Sequence, residues 1–177
     1  MLRTTKLVSI LTMLCSIGAC AEPAEVSWPE GWRVDQMPAP NSPFEPGVEG
    51  ERQRASKLKA DGEQAVVAEL TRLPLPTQQE VDLDRVLSQM RQGVQLGFAQ
   101  SGLQTSCQPS RDARMGNLPA REVTCTASQA NRPMLQQTLL MARGEKAVYS
   151  LTFAMPADQA EAAADEVRQV QESLHLE

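Results

Sequence analysis

Two cysteines carry most of the chemistry that this chain's residue types and spacings suggest. Cys107 and Cys125 stand in LQTSCQP and LPAREVTCTAS, evenly placed about Gly116. A hairpin turning at Met115-Gly116-Asn117 sets them opposite one another, and a cross-strand disulfide needs only that geometry. The other two cysteines lie in the N-terminal segment, where Arg3 and Lys6 precede the apolar run Leu7–Ala19. This is the pattern of a secretory signal peptide, and the run is short of the roughly 20 residues that a membrane-crossing helix requires. Two cleavage modes are open. Ile17-Gly18-Ala19-Cys20 is similar to a bacterial lipobox, in which residues 1–19 leave and Cys20 becomes the lipidated first residue. Alternatively, Ala19-Cys20-Ala21 is an ordinary small-residue site and the mature chain begins at Glu22. Cys15 is lost either way, and Cys20 is lipidated or lost, so one pair of thiols remains in an oxidising compartment. A structural Cys107–Cys125 disulfide is the favoured reading. A redox pair is disfavoured because the two are far apart in sequence and no helix N-terminus is expected beside either.

Other reactive side chains are scattered. The single histidine, His175, sits near the end of the chain, too isolated for a triad or a zinc site. Glu161, Asp165 and Glu166 fall on the polar side of the last expected helix and read as solvated charge. Ser101, Ser106 and Ser110 lack a neighbouring base and a Gly-x-Ser-x-Gly elbow, and no Gly-rich phosphate loop occurs. The sequence therefore nominates no catalytic, cofactor-binding or metal-binding residue. Without the signal peptide the chain has 15 basic and 22 acidic residues, a formal charge of −7, which with export argues against nucleic acid as a partner. Trp28 and Trp32 flank a turn in WPEGW. They read chiefly as the cover of one end of a core, with a ligand or partner contact as the sharper alternative. Arg52, Arg54, Lys57 and Lys59 read as a charged, solvated edge strand rather than a contact for anionic lipid.

The elements that hold these residues follow from periodicity. Residues 20–50 are interrupted by Pro23, Pro29, Pro38, Pro40, Pro43 and Pro46 and are expected to be irregular, wrapping the domain, with room for a short strand after Gly31. Asp61-Gly62 marks a hairpin over Glu51–Leu73, whose register sets Arg54 opposite Glu69, Ser56 opposite Val67 and Leu58 opposite Ala65. Leu83, Val86, Leu87, Met90, Val94 and Phe98 recur at helical spacing up to Gly102. That helix is capped by Asp82 or by a box starting at Thr77, and Gly93 and Gly97 are expected to let it approach a sheet closely. A last hairpin, Met134–Arg143 with Lys146–Met155, turns at Gly144-Glu145. It sets Tyr149, Leu151, Phe153 and Met155 opposite Leu140, Thr138, Gln136 and Met134, with Val148, Ala154, Met141 and Leu135 on the other face. Both faces carry apolar residues, so both need cover. A helix over Ala157–Leu174, with Asp158 as its cap, supplies the second layer.

The order of these elements resembles the PsbP/DcrB-type α/β/α sandwich: a P-x-G-W start at Pro29–Trp32, a hairpin, a helix, a four-strand meander ending in Tyr149–Phe153, and a terminal helix closing on Glu172-Ser173-Leu174. The chain is also similar to uncharacterised exported proteobacterial proteins that share the WPEGW start and two cysteines. The resemblance implies an α+β fold, an antiparallel sheet of about six strands between helices, in a superfamily dominated by lipoproteins and by assembly or binding factors without catalytic residues. The resulting expectation has three segments: signal peptide at 1–19, a lipid-anchored proline-rich segment at 20–50 and one sandwich domain at 51–177. The function expected is that of a non-enzymatic periplasmic lipoprotein, membrane-attached through Cys20, binding an envelope protein or lipid. A small-ligand-binding protein, or less readily a carboxylate-based hydrolase, is the alternative.

Overall fold

The computed structural model describes residues 24–76 and 79–177. The expected signal peptide at 1–19, Cys20 and Thr77 lie outside them. Eight strands form one antiparallel sheet: β1 (Arg33–Met37), β2 (Glu51–Leu58), β3 (Gln64–Pro74), β4 (Gln104–Cys107), β5 (Arg111–Met115), β6 (Leu118–Gln129), β7 (Arg132–Arg143) and β8 (Ala147–Pro156). Their spatial order is β1-β2-β3-β8-β7-β6-β4, and β5 also pairs with β6. The helices are α1 (Leu83–Gln100) and α2 (Ala164–Ser173). The fold is α+β, as expected, but with eight strands where about six were foreseen. The two additions are short: β1 follows Gly31, and β5 is cut off from β4 by Gln108-Pro109-Ser110.

The sheet has a core on each face because side chains alternate along every strand. Trp32, Val66, Leu70, Leu140, Tyr149, Leu151 and Phe153 pack with Val170 and Leu174 at the α2 end of the chain. On the opposite face Val123, Cys125, Leu139, Met141 and Val148 pack with Leu87, Val94 and other residues of α1. Each helix covers only part of its face. α1 lies on β4, β6 and β7, while α2 reaches from Lys57 of β2, through Glu166, to the β5–β6 turn, through Gln171.

Residues 24–50 belong to this same body. β1 pairs with β2, Trp32 is a core residue, and Ser42 donates to the Pro74 carbonyl at 2.7 Å. Phe44 packs against the α1-side core. No boundary in the fold falls at 50/51, and β2 lies inside the sheet with β1 as the edge strand, contrary to the expectation for the basic cluster.

Register was legible where turn chemistry was simple. Arg54 faces Glu69 and Ser56 faces Val67, but a bulge after Lys57 moves Leu58 opposite Gln64 instead of Ala65. In the last hairpin the faces are as expected, yet the partners are displaced by two: Leu151 faces Leu140, Phe153 faces Thr138 and Met155 faces Gln136. The two-residue connection is Glu145-Lys146, with the Gly144 N–H donating to the Ala147 carbonyl at 2.9 Å. Gly144 is needed for room instead, since a Cβ there would lie 1.9 Å from the Glu177 carbonyl oxygen. The sequence places glycine there for packing of the C-terminal tail, a reason that local pattern does not reveal.

Both helix starts are informative. The Asp82 carboxylate caps α1 by accepting from the Arg85 N–H at 3.0 Å. The expected helix over 157–174 instead begins as a 3-10 turn at Ala157–Gln159 and becomes α-helical only at Ala164, with no side-chain cap. Asp158 does not cap it. Gly93 and Gly97 have open space where a Cβ would go, so they face solvent and do not draw α1 onto the sheet.

Candidate functional site

Because α2 is only ten residues long, it leaves the β6–β7 portion of its face open, and a groove runs between the helix and the sheet. Polar residues alternate onto this floor: Glu122 and Thr124 from β6, Gln136 and Thr138 from β7. The Thr124 and Thr138 hydroxyls, opposite one another in register, are 3.2 Å apart and hydrogen-bonded. Met155, Ala160, Ala164 and Val167 form the apolar wall. Towards the β5–β6 turn the groove widens into a cleft of about 440 Å³ between β5 and the Arg168, Gln171 and Glu172 side of α2.

The charges are fixed in pairs. Glu122 is buried and accepts from the Arg111 guanidinium, Nε at 2.9 Å with a second contact from Nη2. Arg111 itself is largely exposed at the groove mouth, and Arg168 on the other wall bonds Asp165. A buried carboxylate without such a partner would carry a heavy desolvation cost, so Arg111 is what allows an acid on this floor. The far end of the helix is closed by the β5–β6 turn. Gly116 has φ +56°, suited to the first central position of a type II′ turn, and its N–H donates to the Gln171 carbonyl at 2.8 Å. Asn117 then clasps the tail, giving and receiving hydrogen bonds with the Leu176 backbone.

The residues singled out from sequence fall elsewhere. Cys107 and Cys125 are register partners, joined by a disulfide under α1 with Cys125 wholly buried. Their register differs by one residue from that of β5 with β6, where Met115 faces Leu118, and the Gln108–Ser110 break absorbs the difference. Trp32 is a core residue, stacked on Trp28 with ring centroids 6.2 Å apart. Trp28 donates to Gln53 at 3.4 Å and lines a cleft of about 390 Å³ with Ser173 and His175; Trp32 does not line that cleft. The basic cluster is engaged locally: Arg52 and Arg54 on Glu69, Lys57 on Glu166, and Lys59 on Glu63, which holds the Lys59 ammonium above its ordinary range. Asp165 and Glu166, weighed as paired acids, are each bound to a cation of their own.

Outside the groove, one polar network links α1 to the β5–β6 hairpin. Asp84 accepts from the Ser110 hydroxyl at 2.7 Å and from Arg121 at 2.9 Å. Those two donors, the hydroxyl foremost, hold the Asp84 carboxyl below its usual value. Arg121 also bonds Asp112, and the two carboxylates, Asp84 foremost, raise its already high pKa. Among the described residues, no group of three or more His, Cys, Asp or Glu is placed to hold a metal ion, and no helix is long and apolar enough to cross a membrane.

The groove residues were not nominated from sequence. A signal was present: Glu122 and Thr124 alternate with Val123 and Cys125, and Gln136 and Thr138 fall in register with the core residues Met155 and Phe153. Polar residues opposite large apolar ones mark a face that is only partly covered.

A family model described as a domain of unknown function (DUF4946) matches residues 23–176. The solution structure of cyanobacterial PsbP (CyanoP) from Synechocystis sp. PCC 6803 aligns with a TM-score of 0.58 at 10% sequence identity, over 90% of this chain and 96% of that one. LpqN, described as involved in cell envelope biogenesis of Mycobacterium tuberculosis, aligns at 16% identity with a TM-score of 0.42, over 85% of this chain and 81% of that one. No curated protein sequence matches the chain. The likeness to cyanobacterial PsbP establishes a PsbP-like fold and says nothing of ligands.

Proposed function

The chain belongs to the DUF4946 family, and from that premise we propose that it is a non-enzymatic binding or assembly module of the cell envelope, lipid-anchored through Cys20, with the α2 groove as its contact surface. The observation that carries the reading is the groove floor. Thr124, Gln136 and Thr138 offer hydroxyl and amide groups on rigid strands, while the buried acid Glu122 is held by Arg111. Such a surface presents donors and acceptors to a partner without an activated nucleophile or a free acid and base. Export is supported by the signal pattern of residues 1–19 and by the disulfide, a bond that persists in oxidising compartments.

The small-ligand alternative draws on a cleft of about 440 Å³, within the usual range for such sites. Its walls, however, are mostly charged and polar side chains, among them Arg111, Asp112, Arg114 and Glu172, whereas small-molecule sites are mostly apolar and enclosed. The hydrolase alternative finds less support, because Asp165 and Glu166 are tied to Arg168 and Lys57. The test is chemical crosslinking in intact cells. Ala164→Trp fills the groove from an exposed position on its wall, at the start of α2. Loss of the wild-type crosslinked species, with an unchanged melting temperature, is the expected result. Retention of every species would remove the groove from the account.

A further inference from the structure

We propose that two copies of this chain pair through the free edge of β5, antiparallel and about a two-fold axis at Ala113. Among the described residues β5 pairs with β6 alone and lies at the edge of the sheet. Its two-residue turn makes Met115–Leu118 the closing hydrogen-bonded pair, so Ala113–Ala120 and Arg111–Glu122 are also bonded pairs, with Asp112 and Arg114 between them. Pro119 corroborates this phase: it lies opposite Arg114, where its missing N–H is not needed by β5. The backbone N–H and C=O of Asp112 and Arg114 consequently point away from β6. Among the described residues, none of the backbone hydrogen bonds outside the ladders involves either one.

An edge with two outward residues, one acidic and one basic, complements itself. Setting Ala113 opposite Ala113 of a second copy places Asp112 opposite Arg114 twice, forming two bonded pairs with opposite charges directly across the strands. Alanine at the axis suits the close approach of a non-bonded pair. The Asp112 side chain is almost fully exposed, and its one partner among the described residues, Arg121, reaches it from its own chain. Among the described residues Arg114 bonds the Asn117 carbonyl alone. At the β1 edge of the sheet Arg33 and Asp35 bond each other within the strand, whereas Asp112 and Arg114 each bond another residue and not one another. Such a contact is isologous and closed, giving a dimer and no filament. β5 is also a wall of the α2 groove, so pairing brings two grooves to one axis.

The test is sedimentation of the mature protein over a concentration series, with a charge swap. The wild type is expected to show a concentration-dependent monomer–dimer equilibrium. Asp112→Arg and Arg114→Asp each set like charges opposite one another and should weaken dimerisation at least tenfold. The double variant Asp112→Arg/Arg114→Asp should restore it. Ala113→Cys should yield a disulfide-linked dimer under mild oxidation, whereas a cysteine at Val34 on β1 should not. A wild type that stays monomeric to millimolar concentration, a double variant no better than the singles, or a dimer that Ala113→Cys does not crosslink would each overturn the proposal.

Discussion

Replacing Gly116 by alanine is a severe test of how the C-terminal tail closes the α2 face. Two costs combine. At φ +56° an L side chain is held in the left-handed region, which costs about 1–2 kcal/mol. The added Cβ would lie 2.0 Å from the Leu174 carbonyl oxygen and 2.8 Å from its carbon. Both are backbone atoms of a segment pinned by Asn117, and overpacking against atoms that cannot rotate away costs about 1–3 kcal/mol more. The sum, about 3 kcal/mol, should lower the urea midpoint by about 1–2 M, given a slope of about 2 kcal/mol/M for a domain of this size. Gly93→Ala is the matched control. Its Cβ enters open space on the outer face of α1, so gained helix propensity should raise stability by about 0.5–1 kcal/mol. Equilibrium unfolding of both variants by tryptophan fluorescence, which Trp32 in the core makes sensitive, reads the two signs together. A Gly116→Ala protein as stable as the wild type, or a destabilised Gly93→Ala, would refute the packing described for these positions.

Reducing the Cys107–Cys125 bond should cost about 3 kcal/mol, from the 18-residue separation of its ends on the chain-entropy model; urea midpoints with and without reductant measure it, and equal midpoints would contradict a structural role. Asp84→Asn removes a carboxylate whose folded pKa is depressed by Ser110 and Arg121. Stability owed to that depression is present above the ordinary value of 3.8 and is lost as pH falls through the lower folded value. Wild type and Asp84→Asn should therefore differ at neutral pH and converge as pH falls below 3.8. A difference independent of pH would argue against the network.

What was legible in the sequence depended on how local its cause was. The helical spacing from Leu83 to Phe98, the Asp61-Gly62 hairpin and the two apolar faces of β7 and β8 follow from periodicity and turn chemistry, and all three are in the structure. The errors arose where a distant segment decides. Gly144 has the residue type of a turn glycine, yet it serves the packing of Glu177. β2 has the charges of an edge strand, yet β1 covers it, and its arginines serve Glu69. The groove stayed hidden for a related reason: no pattern in residues 157–174 announces that the α-helix begins only at Ala164, and that delay shapes the groove beside Thr124, Gln136 and Thr138.

The most direct test of the binding account uses two neighbouring residues of β7 that point to opposite faces. Gln136 opens into the α2 groove, while Gln137 lies on the α1 side, opposite Cys125. A photo-crosslinking amino acid is placed at each position in turn in the exported protein, and intact cells are irradiated. The account predicts a discrete adduct to an envelope component from position 136 and none from position 137. Adducts from 137 alone, or from neither position, would contradict it.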